Sequence, residues 1–465
     1  MLNVVLLVID SLRARALGSA ADLPRTPFLD RLARESVRFS RAYAAECWTL
    51  PAHCSMFTGL LPSQHGAHFQ SMQYSRGRPT IAEVLTRAGY RTEVVTRNSI
   101  FDGQIAGITR GFQRNTTVLA SGHGLNPLSL MLAFSKPRFR RQIMSSGFFN
   151  AAQRANRAFV GRFARATVPA DRQALAHVLA RMERLRRRRE PFFLFCNLYD
   201  VHAPYAPVEA SIFRPLRRPS SWAETLRMPF VLPQLGGHAY LRAGFHLSET
   251  NRRLLLARYH AAIELMDAKL ADFYGAAHAS GLLSDTLLIV TSDHGEAFGE
   301  HGLYLHDASV YDVHLRVPLL VQHPTRAPEV VADVVSTRDL FSLLQATAAG
   351  TSTANTLLDP QFRAARPIAI AEHFHYRDAY HTRPEFRGDL VAAIAGDQKI
   401  IVRRSGACAY DLARDPGEAE PEAIGLEDFA RRCRAEGMPV RALSGALAHL
   451  RRFRGERVAG VGMAA

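Results

Sequence analysis

Three apolar runs, each leading into residues that can carry chemistry, constrain the fold of this chain more than any other feature. Val4-Val5-Leu6-Leu7-Val8-Ile9 runs into Asp10. Phe192-Phe193-Leu194-Phe195-Cys196 is followed by Asp200 and His202, and Thr286-Leu287-Leu288-Ile289-Val290-Thr291 runs into Asp293-His294. A run without polar alternation has no face to give to water, as suits a parallel strand covered on both sides. Segments with helical spacing lie between the runs, among them 27–35, 171–190 and 251–280. The expected class is α/β, a mostly parallel central sheet with helices on both faces. In such sheets ligands bind beyond the carboxyl ends of the strands. Asp10, His202, Asp293 and His294 all fall there. Asp10 alone would read equally well as a helix cap or a loop carboxylate.

A length of 465 residues accommodates one large domain and a smaller one. The expected division is a catalytic domain over 1–355, a small C-terminal α+β subdomain over 356–425 carrying short strands, and a basic helical tail over 426–465.

Between the first two runs lies Cys47-Trp48-Thr49-Leu50-Pro51-Ala52-His53-Cys54, continued by Ser55-Met56-Phe57-Thr58-Gly59 and Pro62-Ser63-Gln64-His65-Gly66. Pro51 suits the first turn of a helix. Thr49 then lies at or just before the helix N-terminus, where unpaired N–H groups and the helix dipole favour an anion. That anion could be a phosphoryl or sulfuryl group, or the Thr alkoxide itself. Taken alone, Thr49 could also be a plain N-cap.

The stretch places a hydroxyl residue two positions before a proline and four before a basic residue, with a Thr-Gly pair following. It resembles the signature of the sulfatase family, in the alkaline phosphatase superfamily. Further segments resemble the same family in the same order over about residues 3–420: the opening strand with Asp10, the strand delivering His202 before Pro204 and Tyr205, and Ser292-Asp293-His294-Gly295-Glu296 followed by His306. The resemblance implies an alkaline-phosphatase-like fold. It also implies a nucleophile at position 49, where the family usually has a Cys or Ser that is oxidised to formylglycine. A threonine would give a ketone, so no formylglycine is expected.

The same resemblance implies a four-ligand site for one divalent cation from Asp10, Asp293, His294 and the Thr49 oxygen. Ser11 stands where the family has a second Asp, and His294 where it often has Asn. Losing a hard oxygen and gaining a nitrogen shifts the expected ion from Ca²⁺ towards Mn²⁺ or Zn²⁺, with Mn²⁺ favoured. For a second metal, Asp200, His373 and His375 are the available contributors. His53 stands where the family has Arg, so a pH dependence near neutrality is expected from it. His202 or His306 would protonate the leaving oxygen, and Gln70 would add a hydrogen bond to the transferred group. The implied reaction is hydrolysis of a phosphoester, phosphodiester or phosphonate ester through unmodified Thr49. The alternatives are phosphoryl-group transfer, sulfate ester hydrolysis, or a non-catalytic protein that holds an anion in a degenerate site.

The net charge is +16, and no Asp or Glu occurs from Gly103 to Ala170, a span with ten Lys and Arg. Such a field attracts anions. Ala152, Ala155, Phe159 and Phe163 recur there at helical spacing. The span reads either as a helix with a solvated basic face or as an insertion beside the site that selects an anionic or lipid-like substrate. No nucleic-acid motif is present, so the expected partner is a small anionic ester. The five cysteines are scattered and odd in number, which fits a reducing compartment. Cys47 and Cys54 read as packing residues. No apolar run approaches the roughly 18 residues of a membrane span. The opening run ends in Asp10 without a cleavage site, so a cytoplasmic location is expected.

Overall fold

The computed structural model describes residues 1–18, 20, 22–71, 73–74, 77–101, 107–118, 170–205, 231, 234–306, 308–351, 353–375 and 383–455. Its strands, in chain order, are β1 (Asn3–Ile9), β2 (Val37–Tyr43), β3 (Arg91–Thr96), β4 (Arg114–Thr117), β5 (Phe192–Leu198), β6 (Thr286–Thr291), β7 (Ala297–Phe298), β8 (Tyr304–Leu305), β9 (Arg316–Gln322), β10 (Glu329–Ser336), β11 (Ile368–His373), β12 (Leu390–Ala395), β13 (Gln398–Arg403), β14 (Gly406–Asp411) and β15 (Glu422–Ala423). Eight of them form the central sheet in the order β10-β2-β9-β6-β1-β5-β3-β4. β9 alone runs against the other seven, pairing antiparallel with β6 and β2.

The three apolar runs are β1, β5 and β6, side by side at the centre, and every residue in them is buried. Alternate side chains of β1 divide between two cores. Val5, Leu7 and Ile9 join the helices Pro27–Arg34, Ala170–Arg187 and Glu249–Ala279 on one face. Val4, Leu6 and Val8 join the helices Thr49–Thr58, Ile81–Arg87 and Leu340–Ala348 on the other. Register aligns the strand ends: Ile9 lies beside Leu198, and Val8 beside Thr291. Asp10, the loop after Leu198, and Ser292-Asp293-His294 therefore leave the sheet at one level.

Strands β11 to β15 form an antiparallel sheet, the core of the smaller C-terminal unit. The segment expected as a basic helical tail contains two helices, Leu426–Ala435 and Val440–Phe453. Phe429, Cys433, Leu443 and Leu450 share one core with Val391, Ile400 and Val402 of this sheet. Their basic residues lie off that apolar face, which is why composition alone suggests a tail. At the seam between the two sheets, the buried Lys399 ammonium lies 2.7 Å from Asp312 and 2.6 Å from Glu418. Of the acid-free span, 103–106 and 119–169 lie outside the described residues, including the line Ala152 to Phe163. In its described part, Arg110 pairs with Glu83 at 2.8 Å.

The long helix holds the start of Pro27–Arg34 through Asp267, which accepts the N–H groups of Phe28 and Leu29 at 3.0 and 2.8 Å. Burial pushes Asp267 from 3.8 up to about 6, although those two N–H groups pull it the other way. An acid raised on folding contributes stability below its unfolded value and loses it as pH climbs through the folded one. The wild type should thus lose roughly 2–3 kcal/mol relative to Asp267→Asn between about pH 4 and pH 7. Urea unfolding of both proteins across that range checks this, and parallel pH profiles would refute it.

Candidate active site

Helix Thr49–Thr58 starts at Thr49, and Trp48 is its N-cap with extended backbone. Thr49 is therefore the first helical residue and not the cap, and its side chain is left for other work. All ten residues of the helix are buried. Its N-terminus points at the carboxyl ends of β1 and β6. Thr49 Oγ1 lies 3.5 Å from His294 Nε2.

The orientation of His294 follows from its neighbours. Its Nδ1–H donates to the Gly295 carbonyl at 2.9 Å, which leaves the Nε2 lone pair facing Thr49. Gly295 must be glycine, because a Cβ there would stand 2.1 Å from the Val313 carbonyl oxygen. His294 Nε2 also lies 3.7 Å from Asp10 Oδ1 and 3.5 Å from Asp293 Oδ2.

The two carboxylates are held from behind. Asp293 Oδ1 accepts the N–H groups of Ser11 at 3.2 Å and His294 at 3.0 Å. Asp10 Oδ1 accepts the Ser11 hydroxyl at 3.1 Å. Ser11, which stands in place of a second Asp, has φ of 65°. Its left-handed backbone is pinned by Tyr259, whose hydroxyl donates to the Ser11 carbonyl at 2.7 Å. Strain of this kind persists only where the surroundings hold it.

Asp10 Oδ2 and Asp293 Oδ2 are buried without a hydrogen-bond partner. Burial and the facing Asp10 carboxylate push Asp293 well above the ordinary carboxylate range. Burial acts on Asp10 in the same direction, but His202, His294, His306 and His53 hold it below its ordinary value. Two buried carboxylates with orphaned oxygens and an imidazole lone pair suit one divalent cation. One donor atom from each of Asp10, Asp293 and His294 lies within 4.8 Å of the others.

His53 lies in the site but not as a cation. Its Nδ1–H donates to the Thr49 carbonyl at 2.8 Å, with Asp293 Oδ2 at 3.6 Å. Phe57, Phe101 and Phe195 present edges around the ring. Burial pushes the imidazole down to about 4, against the pull of the Thr49 carbonyl and Asp10. This corrects the expected titration near neutrality: the aromatic box removes the solvent a charged ring needs.

His306 packs 4.3 Å from the His294 ring and His202 5.0 Å from the His306 ring, centroid to centroid. Behind His306 stands Glu296, with both carboxylate oxygens 3.3 Å from Nδ1. Burial raises Glu296 to about 7. Glu296 has no assigned role in the sequence motifs; its one local signal is that it is a third ionisable residue, after Asp293 and His294, just past a buried strand. The loop bearing His202 is fixed by Asp171, whose Oδ2 accepts the N–H groups of Tyr199 and Asp200 at 2.7 and 2.6 Å.

The structure does not bring every expected residue here. Asp200 is engaged by Lys269 at 2.7 Å and by Arg97. Gln70 Nε2 donates to the His375 carbonyl at 3.3 Å and to Asp389 at 3.4 Å, so its amide is committed to the smaller unit. His373 lies with Glu46 and Cys47. The set Asp200, His373 and His375 therefore does not assemble as a second metal site.

A family model described as Sulfatase matches residues 2–350. Choline-sulfatase of Rhizobium meliloti (strain 1021) is 24% identical over 363 residues, covering 74% of this chain and 66% of that protein. Iduronate 2-sulfatase of Mus musculus is 26% identical over 353 residues, covering 71% and 61%. This chain thus spans less than two thirds of the length of either relative. The crystal structure of the phosphonate monoester hydrolase of Agrobacterium radiobacter superposes with a TM-score of 0.66 at 20% identity, covering 96% of both chains. The expected α/β, alkaline-phosphatase-like fold with a small C-terminal unit is borne out.

Proposed function

Since this chain belongs to the sulfatase family, we propose that it is a metal-dependent hydrolase cleaving a phosphoester, phosphodiester or phosphonate ester through an unmodified Thr49 hydroxyl. The observation that carries this reading is the position of Thr49 Oγ1: at a buried helix N-terminus, 3.5 Å from the outward lone pair of His294. Threonine cannot become an aldehyde, which removes the route by which a formylglycine hydrate releases sulfate and favours phosphorus. Hydrolysis of a sulfate ester through the same hydroxyl is the second reading, favoured by relatives named as sulfatases.

A divalent cation held by Asp10, Asp293, His294 and Thr49 would favour the Thr49 alkoxide and offset charge on the transferred group. Two carboxylates and one imidazole favour Mn²⁺, with Zn²⁺ and Ca²⁺ the alternatives. The chain's own residues do the rest. Free N–H groups in the first turn of Thr49–Thr58 receive the anionic group. Thr49 Oγ1 attacks in line and forms a covalent Thr ester while the leaving oxygen departs. His202 or His306 donates the proton that oxygen needs, and then takes one from the water that cleaves the Thr ester. Glu296 holds the His306 ring in place. Buried, neutral His53 fixes the Thr49 carbonyl and keeps the first turn in register.

The substrate is proposed to be a small anionic ester. No disulfide joins any of the five cysteines, which supports a reducing, cytoplasmic setting. Among the described residues no helix is long and apolar enough to cross a membrane.

Mass spectrometry of protein quenched during turnover tests the nucleophile. A phosphoryl or sulfuryl adduct on Thr49 is expected, and an adduct on any other residue would overturn the assignment. The proton donor is identified by leaving-group dependence. Replacing the true donor among His202 and His306 with Ala should lower kcat by about 10²-fold or more on alkyl esters. On aryl esters, whose leaving oxygen needs little protonation, the loss should be far smaller. Equal losses on both substrate types for both variants would exclude the acid role.

A further inference from the structure

The mechanism leaves unused a buried cluster beside the nucleophile helix. Glu46 and Cys47 are 0% exposed and His373 is 1% exposed. His373 Nδ1 lies 2.9 Å from Glu46 Oε1 and 3.4 Å from Cys47 Sγ. One donor atom from each residue lies within 4.8 Å of the others. Glu46 Oε2 has no hydrogen-bond partner, although it is out of contact with water.

We propose that Glu46, Cys47 and His373 form a second, structural metal site that takes Zn²⁺. Donors around tetrahedral zinc stand about 3.3–3.6 Å apart, given Zn–S near 2.3 Å and Zn–N near 2.05 Å. The two sides that meet at His373 Nδ1, 2.9 and 3.4 Å, are within about 0.5 Å of that spacing, and the third is no longer than 4.8 Å. A thiolate and an imidazole select zinc over calcium or magnesium. A thiolate and a carboxylate together balance the charge of a divalent ion, and Glu46 Oε2 supplies a further oxygen. Without a cation, the buried carboxylate has, among the described residues, one neighbouring imidazole and the Cys47 N–H, at 2.9 Å, to compensate its lost hydration.

The site joins two parts of the fold. Cys47 lies two residues before Thr49, and His373 is the last residue of β11. The Glu372 N–H donates to the Ala45 carbonyl at 2.9 Å alongside. A bound ion fastens the segment entering the nucleophile helix to the smaller sheet. This site shares no ligand with Asp10, Asp293 and His294.

Cobalt distinguishes the two sites, because only this one contains a thiolate. Full-length protein loaded with Co²⁺ should bind about two equivalents and show a thiolate-to-cobalt charge-transfer band in the near ultraviolet. Cys47→Ser should abolish the band and lower the metal content to about one equivalent. Asp293→Ala should lose an equivalent and keep the band, so that failure of the catalytic site and of this one read differently. If Cys47→Ser does not fold, Glu46→Gln and His373→Asn carry the same readout, each weakening or abolishing the band. A wild-type protein without the band, or a band that persists when these residues are changed, overturns the proposal.

Discussion

Thr49→Ala is expected to lower kcat by about 10³-fold or more on every phosphorus or sulfur ester the wild type cleaves, while Asp10, Asp293 and His294 still hold the metal, though more weakly for the lost hydroxyl ligand. The substitution removes the hydroxyl and a methyl group at a position 5% exposed, and Thr49 caps nothing. The backbone N–H groups of the first turn, Asp10, Asp293 and the His294 lone pair all remain. Substrate should still bind, so KM should move far less than kcat. Thr49→Ser keeps a hydroxyl and should retain part of the rate. Steady-state kinetics with metal analysis of the same samples separates this from a folding defect. Full activity in Thr49→Ala would end the nucleophile assignment.

Asp293→Asn is expected to weaken metal binding by about 10²-fold or more and to lower activity accordingly. Its effect on stability should change sign with the metal. Asp293 Oδ1 accepts two backbone N–H groups, a role the Asn oxygen can keep. Asp293 Oδ2 has no partner, and its carboxylate faces buried Asp10. In metal-free protein, replacing one of two facing carboxylates relieves repulsion, so the variant should melt above the wild type. With saturating Mn²⁺ the order should reverse, because an ion that binds the native state more tightly stabilises it more. Paired thermal melts with chelator and with Mn²⁺ check both halves. A variant less stable than the wild type under both conditions would mean that Asp293 serves architecture and not a cation.

Much of the fold was legible because burial on both faces of a parallel strand leaves a one-dimensional mark. The runs that became β1, β5 and β6 could be read directly, and so could the residues at their carboxyl ends. Thr49, His53, His202 and His306 were found through the order of motifs, and all four gather with Asp10, Asp293 and His294. Glu296 was missed because its role depends on a ring ten positions along the chain that returns through β7 and β8. Gln70 and Asp200 were misplaced because their partners, Asp389 and Lys269, come from segments far away in sequence. Nothing local records such pairings.

By itself, the sequence determined the strand class, the donor types at the strand ends, and a threonine at position 49 whose secondary alcohol cannot become an aldehyde. These follow from composition and covalent chemistry, which do not depend on the rest of the molecule. Tertiary structure decided which groups are charged, which lone pairs face inward, and which distant residues meet. The Gly295 carbonyl sets the tautomer of His294, three phenylalanines keep His53 neutral, and the bond from the Glu372 N–H to the Ala45 carbonyl sets His373 beside Glu46 and Cys47. Those outcomes rest on desolvation and on contacts across hundreds of residues, which exist only once the sheet has formed.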